Sequence, residues 1–423
     1  MSGSASFPTL RTEIAGIPVS DLVREYGTPL FVYDAAGIEQ RIDDLRVFDV
    51  IRYAQKANSN LAILDLCRRL GALVDAVSAG EVRRALAAGY SAQGDPYPIV
   101  YTADIFDRDA LELVVEHGIH VNCGSPDMID QYGERAPGRE ITLRINPGFG
   151  HGHSQKTNTG GEQSKHGIWH EQIGACVARA AKYDLTISGV HVHIGSGSDL
   201  EHLATVCEAI QAFALEIGPS ITDISAGGGL PVPYRDGEER IEIRDHFSRW
   251  DATRKRLEKG FGHPVRLEIE PGRYLTAEAG FLVCEIRAVK RMGKNLFYVV
   301  DAGFSDLARP VLYGAYHPIS IVPESATGED RPLQDVVVGG PLCESGDIFT
   351  QEAGGFVATR ALPEAHVGEL LVLECAGAYG FTMASNYNSK PRAAETLLVD
   401  GRAHLIRARE TFQDLIRGES IPG

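Results

Sequence analysis

The sequence predicts an α/β barrel followed by an all-β domain, and three observations lead there. From about residue 30 to 285, short β-type runs alternate with amphipathic helical stretches. From about 286 the helical stretches stop while the β-type runs continue. The chain, at 423 residues, is also longer than a single domain of roughly 100–200 residues. The barrel strand candidates, in order, are DVIRYA (49–54), LVDAV (73–77), IVYTA (99–103), IHVNC (119–123), ITLRI (141–145), ISGVHVHI (187–194), ITDISA (221–226) and VRLEIE (265–270). Between them, NLAILDLCRRL (60–70), GEVRRALAAGY (80–90), DALELVVEHG (109–118) and LATVCEAIQAFALEIG (203–218) repeat apolar residues every three or four positions, the spacing of one helix face. Eight such units over about 250 residues outline a (β/α)8 barrel of the TIM type. An open, doubly wound sheet has the same periodicity and is the competing architecture.

The second domain is read from LFYVVDAG (296–303), ISIV (319–322), DVVVGG (335–340), ELLVLECAG (369–377) and AETLLVDG (394–401), separated by Gly- and Pro-containing turns. The expected division is therefore residues 1–34 as N-terminal strands, 35–285 as the barrel and 286–423 as a C-terminal β-sandwich or β-barrel domain. The opening segment through PLFVYD (29–34) is strand-like and is expected to join the β-domain, because chain termini often lie close together.

Composition limits the function. Lys and Arg number 41 against 57 Asp and Glu, a net charge of −16, which argues against a nucleic-acid or anionic-membrane surface. A 43% hydrophobic fraction supplies a core. No apolar run approaches the ~18 residues of a membrane span. The N-terminal MSGSASFPTLRTEI has no cationic segment followed by an apolar stretch, so a secretory signal is not expected. Seven cysteines, an odd number with no CxxC pair, fit a reduced cytoplasmic enzyme better than a disulfide scaffold or zinc module.

Forty-six glycines gather in clusters, and the clusters hold the chemistry. Lys56 in YAQKAN follows the first strand, where a desolvated lysine becomes a nucleophilic amine; alone, a surface lysine is the commoner reading. HVHIGSG puts His191 and His193 on one face of a strand. That invites zinc, but a core or stacking histidine is more common and no HExxH or CxxC adds ligands; no metal is expected. The Gly227, Gly228 and Gly229 turn after ITDIS is either a plain tight turn or a phosphate wrap, and it matches neither GxGxxG nor a Walker motif. EIEPGRY ends a strand with Glu270, Gly272 and Arg273. A carboxylate there can keep a ring nitrogen protonated and an arginine can pair with an anion, against the simpler strand-end ion pair. In the β-domain, GPLCESGD carries Cys343 and Glu344, DAGFSDLARPVLYGAY carries Asp301, Arg309 and Tyr313, and GAYGFTMASNYNSKPR carries Tyr379. The long polar stretch 146–167, which contains His151 and His153, follows a barrel strand and is expected to form an active-site loop or lid, against the alternative of an ordinary surface insertion.

YAQKAN, HVHIGSG, GGGL, EPGRY, GPLCESGD and GAYGFTMASNYNSKPR, in this order and register, resemble the pyridoxal-phosphate decarboxylases of the alanine-racemase fold, and among them the diaminopimelate decarboxylases. The resemblance runs from PLFVYD to LIRARETFQDL, and GHGHSQKTNTGG is similar to one bacterial subgroup. It implies that Lys56 forms the Schiff base with pyridoxal 5'-phosphate and that His193 stacks on the pyridine ring. Ser196, Gly227, Gly228, Gly229 and Tyr379 would hold the phosphate or orient the ligand, with Gly272 and Arg273 beside them. Glu270 would pair with the pyridine nitrogen, and Asp75 matches a further acidic position near the lysine. Arg273, Arg309, Tyr313 and Tyr379 would contact substrate, Glu344 would hold its distal ammonium and Cys343 would return the proton. The resemblance also implies a homodimer in which Cys343 and Glu344 complete the partner's site. Three other readings stand beside it: a decarboxylase of ornithine or arginine on the same fold, a metal-dependent barrel hydrolase and an inactive homologue acting as a binding partner.

Overall fold

The computed structural model describes residues 4–150, 160–193, 200–323, 331–352 and 354–423, with the backbone alone at 200–202. It divides into two compact units, one of residues 39–231 and 241–275, the other of 1–38, 232–240 and 276–423.

The first unit is a closed parallel barrel of eight strands: Val50–Ala54, Leu73–Ala76, Ile99–Ala103, His120–Cys123, Glu140–Asn146, Thr186–His191, Asp223–Ser225 and Arg266–Ile269. Arg266–Ile269 pairs back onto Val50–Ala54, which closes the ring and removes the open-sheet alternative. Six of the eight predicted runs contain their strands whole and the other two overlap theirs, Glu140–Asn146 reaching one residue past 141–145 at each end and Thr186–His191 starting one residue before 187–194, because parallel barrel strands are buried on both faces and appear as near-continuous apolar runs. Val50–Ala54 is buried at all five positions. Side-chain caps turn strand into helix: Asn60 accepts from Ala62 N–H, Ser78 from Glu81 N–H and Asp107 from Ala110 N–H. Each satisfies a donor that a helix start leaves open. Inside the barrel the fully buried Arg52 bridges the closing strands, donating to Glu268 at 2.8 Å and to the Tyr97 carbonyl at 2.7 Å.

The second unit is built on one long strand, Gly280–Met292, which pairs antiparallel with Leu30–Asp34, Asn295–Val300 and Leu370–Leu373. Leu30–Asp34 also runs parallel to Ala394–Val399, so the PLFVYD segment is an inner strand of this sheet. Ile14, Val19, Leu22, Leu30, Val32, Val283, Val372 and Leu398 share one apolar cluster of this unit.

The compact units differ from the division expected at 34/35 and 285/286 in three places, the first being a boundary at 38/39 in place of 34/35. Strand Gly280–Met292 spans the expected junction at 285/286 and belongs wholly to the β unit, because its apolar GFLVCEI start bonds to Leu30–Tyr33. An apolar run carries no mark of which sheet it enters. Val232–Arg240 also belongs there, held by Ala5 N–H on the Glu238 carbonyl and Phe7 N–H on Asp236. Among the described residues no helix is long and apolar enough to cross a membrane.

Candidate active site

In the barrel unit the candidates gather at the C-terminal ends of the strands. Lys56 lies in a one-turn 3-10 segment, Gln55–Ala57, after the first strand, and its side chain is exposed rather than desolvated by the protein. Asp75 is the penultimate residue of the next strand, Leu73–Ala76, and is buried. Its carboxyl is pushed up to about 7, first by burial and then by the nearby Glu270 charge, against the pull of Thr102 and Lys56.

Glu270 is the centre of this cluster. It is buried, and His191 Nε2 lies 2.8 Å from one carboxylate oxygen while Ser225 Oγ donates to the other at 2.9 Å. Burial alone would raise its pKa; the His191 ring and the two hydrogen bonds outweigh that and hold it well below the usual carboxylate range. Asp75 and Glu270 are therefore driven apart, one carboxyl easily protonated and its neighbour firmly ionised, a separation typical of working sites.

His193 is set by the glycine turn. Gly228 N–H donates to its Nδ1 at 2.9 Å, which leaves the ring proton on Nε2. Burial, then the Lys56 and Arg144 charges, hold this imidazole well below its ordinary pKa, so it is neutral. The glycines are steric requirements: a Cβ at Gly227 would stand 2.3 Å from the Val192 carbonyl oxygen, and one at Gly228 would stand 2.4 Å from that of Glu270. Gly227 also has φ +63°. Gly272 passes the first strand closely, its would-be Cβ 3.0 Å from the Ala54 oxygen, and Arg273 opens the short helix Arg273–Thr276. His191, His193 and Glu270 bring possible ligand atoms within 4.8 Å of one another, but the contacts just described already engage all three.

Ser196, His151 and His153 fall outside the described residues. The flanks of the 146–167 stretch are described and firmly anchored. Asn146 uses its whole amide, donating to the Gly161 and His166 carbonyls at 3.1 Å each and accepting from Gly148 and Gly161 N–H at 3.1 and 2.9 Å. Asp104 receives His166 Nδ1 at 2.8 Å and Gly167 N–H at 2.9 Å. Neither anchor was singled out from the sequence; an acidic residue just past a strand and an Asn ending another were the available signs.

In the β unit, Arg309 opens the short helix Arg309–Tyr313 and is buried, while Tyr313 at its end is exposed. Cys343 and Glu344 are exposed on the GPLCESGD turn. Asp347 braces that turn, accepting Leu342 N–H at 2.8 Å and Phe304 N–H at 2.7 Å, and Asn388 accepts Cys343 N–H at 2.7 Å. A Cβ at Gly340 would stand 2.2 Å from the Asp347 carboxylate, so the turn admits only glycine there. Tyr379 has φ +57°, two residues after Gly377, whose would-be Cβ meets the Thr276 oxygen at 1.8 Å. Backbone strain of this kind collects at functional turns.

These features describe a pyridoxal-type site on a TIM barrel: an amine at a strand end, an ionised buried carboxylate and a side-chain-free turn. Residues 38–277 match the family described as pyridoxal-dependent decarboxylase, pyridoxal binding domain. The chain is 52% identical over 420 residues to the diaminopimelate decarboxylase of Streptomyces coelicolor, covering 99% of this chain and 96% of that protein. It is 51% identical over 411 residues to that of Escherichia coli K12, covering 97% and 98%. A crystal structure of diaminopimelate decarboxylase superposes with a TM-score of 0.91 at 52% identity, over 94% of each chain. The Helicobacter pylori enzyme complexed with L-lysine gives 0.81 at 32% identity, over 94% of this chain and 98% of that one. The chain belongs to the pyridoxal-dependent decarboxylase family, and its cofactor is pyridoxal phosphate. Its residues fit that group: Glu270 is a buried anion suited to a pyridinium, and the Gly227–Gly229 turn keeps its backbone clear of side chains.

Proposed function

We propose that the chain decarboxylates meso-2,6-diaminopimelate to L-lysine and CO2, the last step of bacterial lysine synthesis. One observation carries the reading: Lys56, Asp75, His193 and Glu270 converge at the strand ends of a chain 52% identical over nearly its whole length to a diaminopimelate decarboxylase.

Pyridoxal phosphate, when bound, supplies the electron sink for the charge left as CO2 departs. The chain supplies the rest. Lys56 would hold the cofactor through its amine, and His193, oriented by Gly228 N–H, would lie against the ring. Ionised Glu270, braced by His191 and Ser225, keeps a proton on the ring nitrogen. The 227–229 backbone, Ser196 and Tyr379 receive the phosphate, with Gly272 and Arg273 beside them. The far end of the substrate is itself an amino acid and needs a cation for its carboxylate and an anion for its ammonium. Arg309 and Glu344 supply that pair, with Tyr313 alongside. An ornithine decarboxylase would need only the acid. The Cys343 thiol returns a proton to the carbon that lost CO2. We place Cys343 and Glu344 at the partner's site in a homodimer, acting in the cytoplasm.

The test is a panel assay of purified holoenzyme with meso-diaminopimelate, ornithine and arginine, measuring CO2 and product. The reading expects L-lysine from diaminopimelate and little release from the others. Preference for ornithine or arginine would overturn the substrate assignment.

A further inference from the structure

The inside of the barrel is polar beneath the candidate site. Residues two apart on a strand point the same way. His120 and Asn122, Asp223 and Ser225, and Glu268 and Glu270 are such pairs, and all six line one interior cavity of about 30 Å³. Glu270 and Ser225, already joined at 2.9 Å, bound it at the C-terminal ends of the strands. His120 and Asn122 are 6% and 2% exposed. Each engages one side-chain atom: His120 Nε2 lies 2.9 Å from Thr142 Oγ1, and Asn122 Nδ2 donates to Thr102 Oγ1 at 3.4 Å. The other polar atom of each, His120 Nδ1 and Asn122 Oδ1, is buried with no protein partner among the described residues. Such atoms are unfavourable in a protein interior unless something bonds to them.

The lining selects what that is. Arg52 and Arg266 also line the cavity. Burial, then these two charges, push the His120 imidazole down to about 3, so it is neutral and the wall beside it disfavours a cation. An anion would face Asn122 Oδ1, Glu268 and Glu270, which have no proton to give. The Thr142 hydroxyl donates or accepts, so His120 Nδ1 is an acceptor in one tautomer and a donor in the other, while Asn122 Oδ1 only accepts. A small neutral molecule that both donates and accepts meets either case. Water does, and it needs roughly 10–15 Å³ of such space, so the cavity has room for at least one. Glu270 gains from it. A carboxylate has about four acceptor positions, and His191 and Ser225 take one each. Burial is the largest influence against the Glu270 charge, and a hydrogen bond from the cavity side offsets part of it.

We propose that this cavity is an internal water site and that His120 and Asn122 are positioning residues: they hold water beneath Glu270 and so support its grip on the cofactor ring nitrogen. The proposal rests on the reading above that Glu270 pairs with that nitrogen.

Diffraction from crystals of the holoenzyme tests the water directly. Ordered density within hydrogen-bond distance of His120 Nδ1 and Asn122 Oδ1 is expected, and a dry cavity overturns the site. The positioning role is read by NMR of the ring nitrogen, with isotopically labelled pyridoxal phosphate as the cofactor. Asn122→Leu keeps the size of the side chain but offers water no partner. Asn122→Ser is smaller and polar and leaves water its place. Both lose the amide donor to Thr102, so that loss does not separate them. The Leu variant is expected to move the ring-nitrogen shift toward its unprotonated value and to lower kcat about tenfold, the scale of one hydrogen bond to a charged group, with KM little changed. The Ser variant should stay near wild type. His120→Phe, which keeps an aromatic ring stacked on Tyr97, carries the same test where Asn122→Leu does not fold. An unchanged shift in the Leu variant, or equal changes in Leu and Ser, overturns the positioning role. Glu270→Gln separates the two levels: it should move the shift by itself, and if it does not, the assignment of Glu270 fails while diffraction still decides the water.

Discussion

In the barrel unit the carboxyl candidates Asp75 and Glu270 are buried and act on one another; in the β unit Cys343 and Glu344 stand on an exposed turn and Tyr313 at an exposed helix end. Glu270 is ionised because His191 and Ser225 bond to it, and Asp75 is easily protonated first because it is buried and then because Glu270 beside it is ionised. Each charge state in the barrel thus depends on a neighbour in the same cluster. In the β unit the buried carboxylate behind the GPLCESGD turn, Asp347, spends its oxygens on backbone N–H groups and shapes the turn that shows Cys343 outward. The difference separates two tasks. The barrel tunes protonation and so needs burial, where electrostatic effects are large. The β unit presents recognition groups and so needs a rigid backbone that leaves side chains such as Cys343 and Glu344 outside.

Variants can break this contrast, and the barrel should respond most. Lys56→Ala should cut turnover by roughly 10^3-fold or more, beyond the usual contribution of a single acid–base group, and should abolish absorbance from the protein-bound cofactor. Measured CO2 release near the wild-type rate would remove Lys56 from the account. Cys343→Ala should slow turnover by about 10^2-fold or misdirect protonation while the cofactor stays bound. Wild-type rate and product partition in that variant would refute the proton-donor role. Mixing Lys56→Ala and Cys343→Ala subunits should restore part of the activity if sites are shared across a dimer.

The β-unit brace should act through stability. Asp347→Ala strips one buried and one partly buried N–H group of their acceptor and should cost about 2–4 kcal/mol, seen as a thermal transition lowered by several degrees. An unchanged transition would mean the turn does not depend on this carboxylate.

The smallest effect concerns pH. Asp75 ionises near pH 7 in the folded chain, against about 4 unfolded. Between those values the folded state holds more protons, so this group's contribution to stability falls as pH rises through the window. Asp75→Asn should flatten the decline in melting temperature between pH 4 and 7, with a total change of at most a few kcal/mol. An identical slope in both proteins would contradict the raised pKa.

Much of the barrel is legible in the sequence because its strands are short apolar runs, several with a helix cap or a glycine turn behind them. Asn60, Ser78 and Asp107 act within three residues of their own positions, so local pattern suffices. The bracing residues are less visible. His191 appears in the sequence as half of an HxH pair, yet its working partner is Glu270, 79 residues on. His317 faces Arg309 across the turn that ends a helix, but it also bonds to the backbone of Glu374. Asp347 closes onto Phe304, 43 residues earlier. Such pairings follow from chain packing, and no spacing along the sequence announces them. Strand Gly280–Met292 was hidden for a different reason: an apolar run fits either sheet until its hydrogen-bond partner is known.

The most direct measurement is borohydride reduction of the holoenzyme followed by peptide mapping of the modified residue. The account predicts that reduction abolishes activity, shifts the cofactor absorbance and leaves the pyridoxyl label on Lys56. A label on another lysine, or none at all, would contradict it.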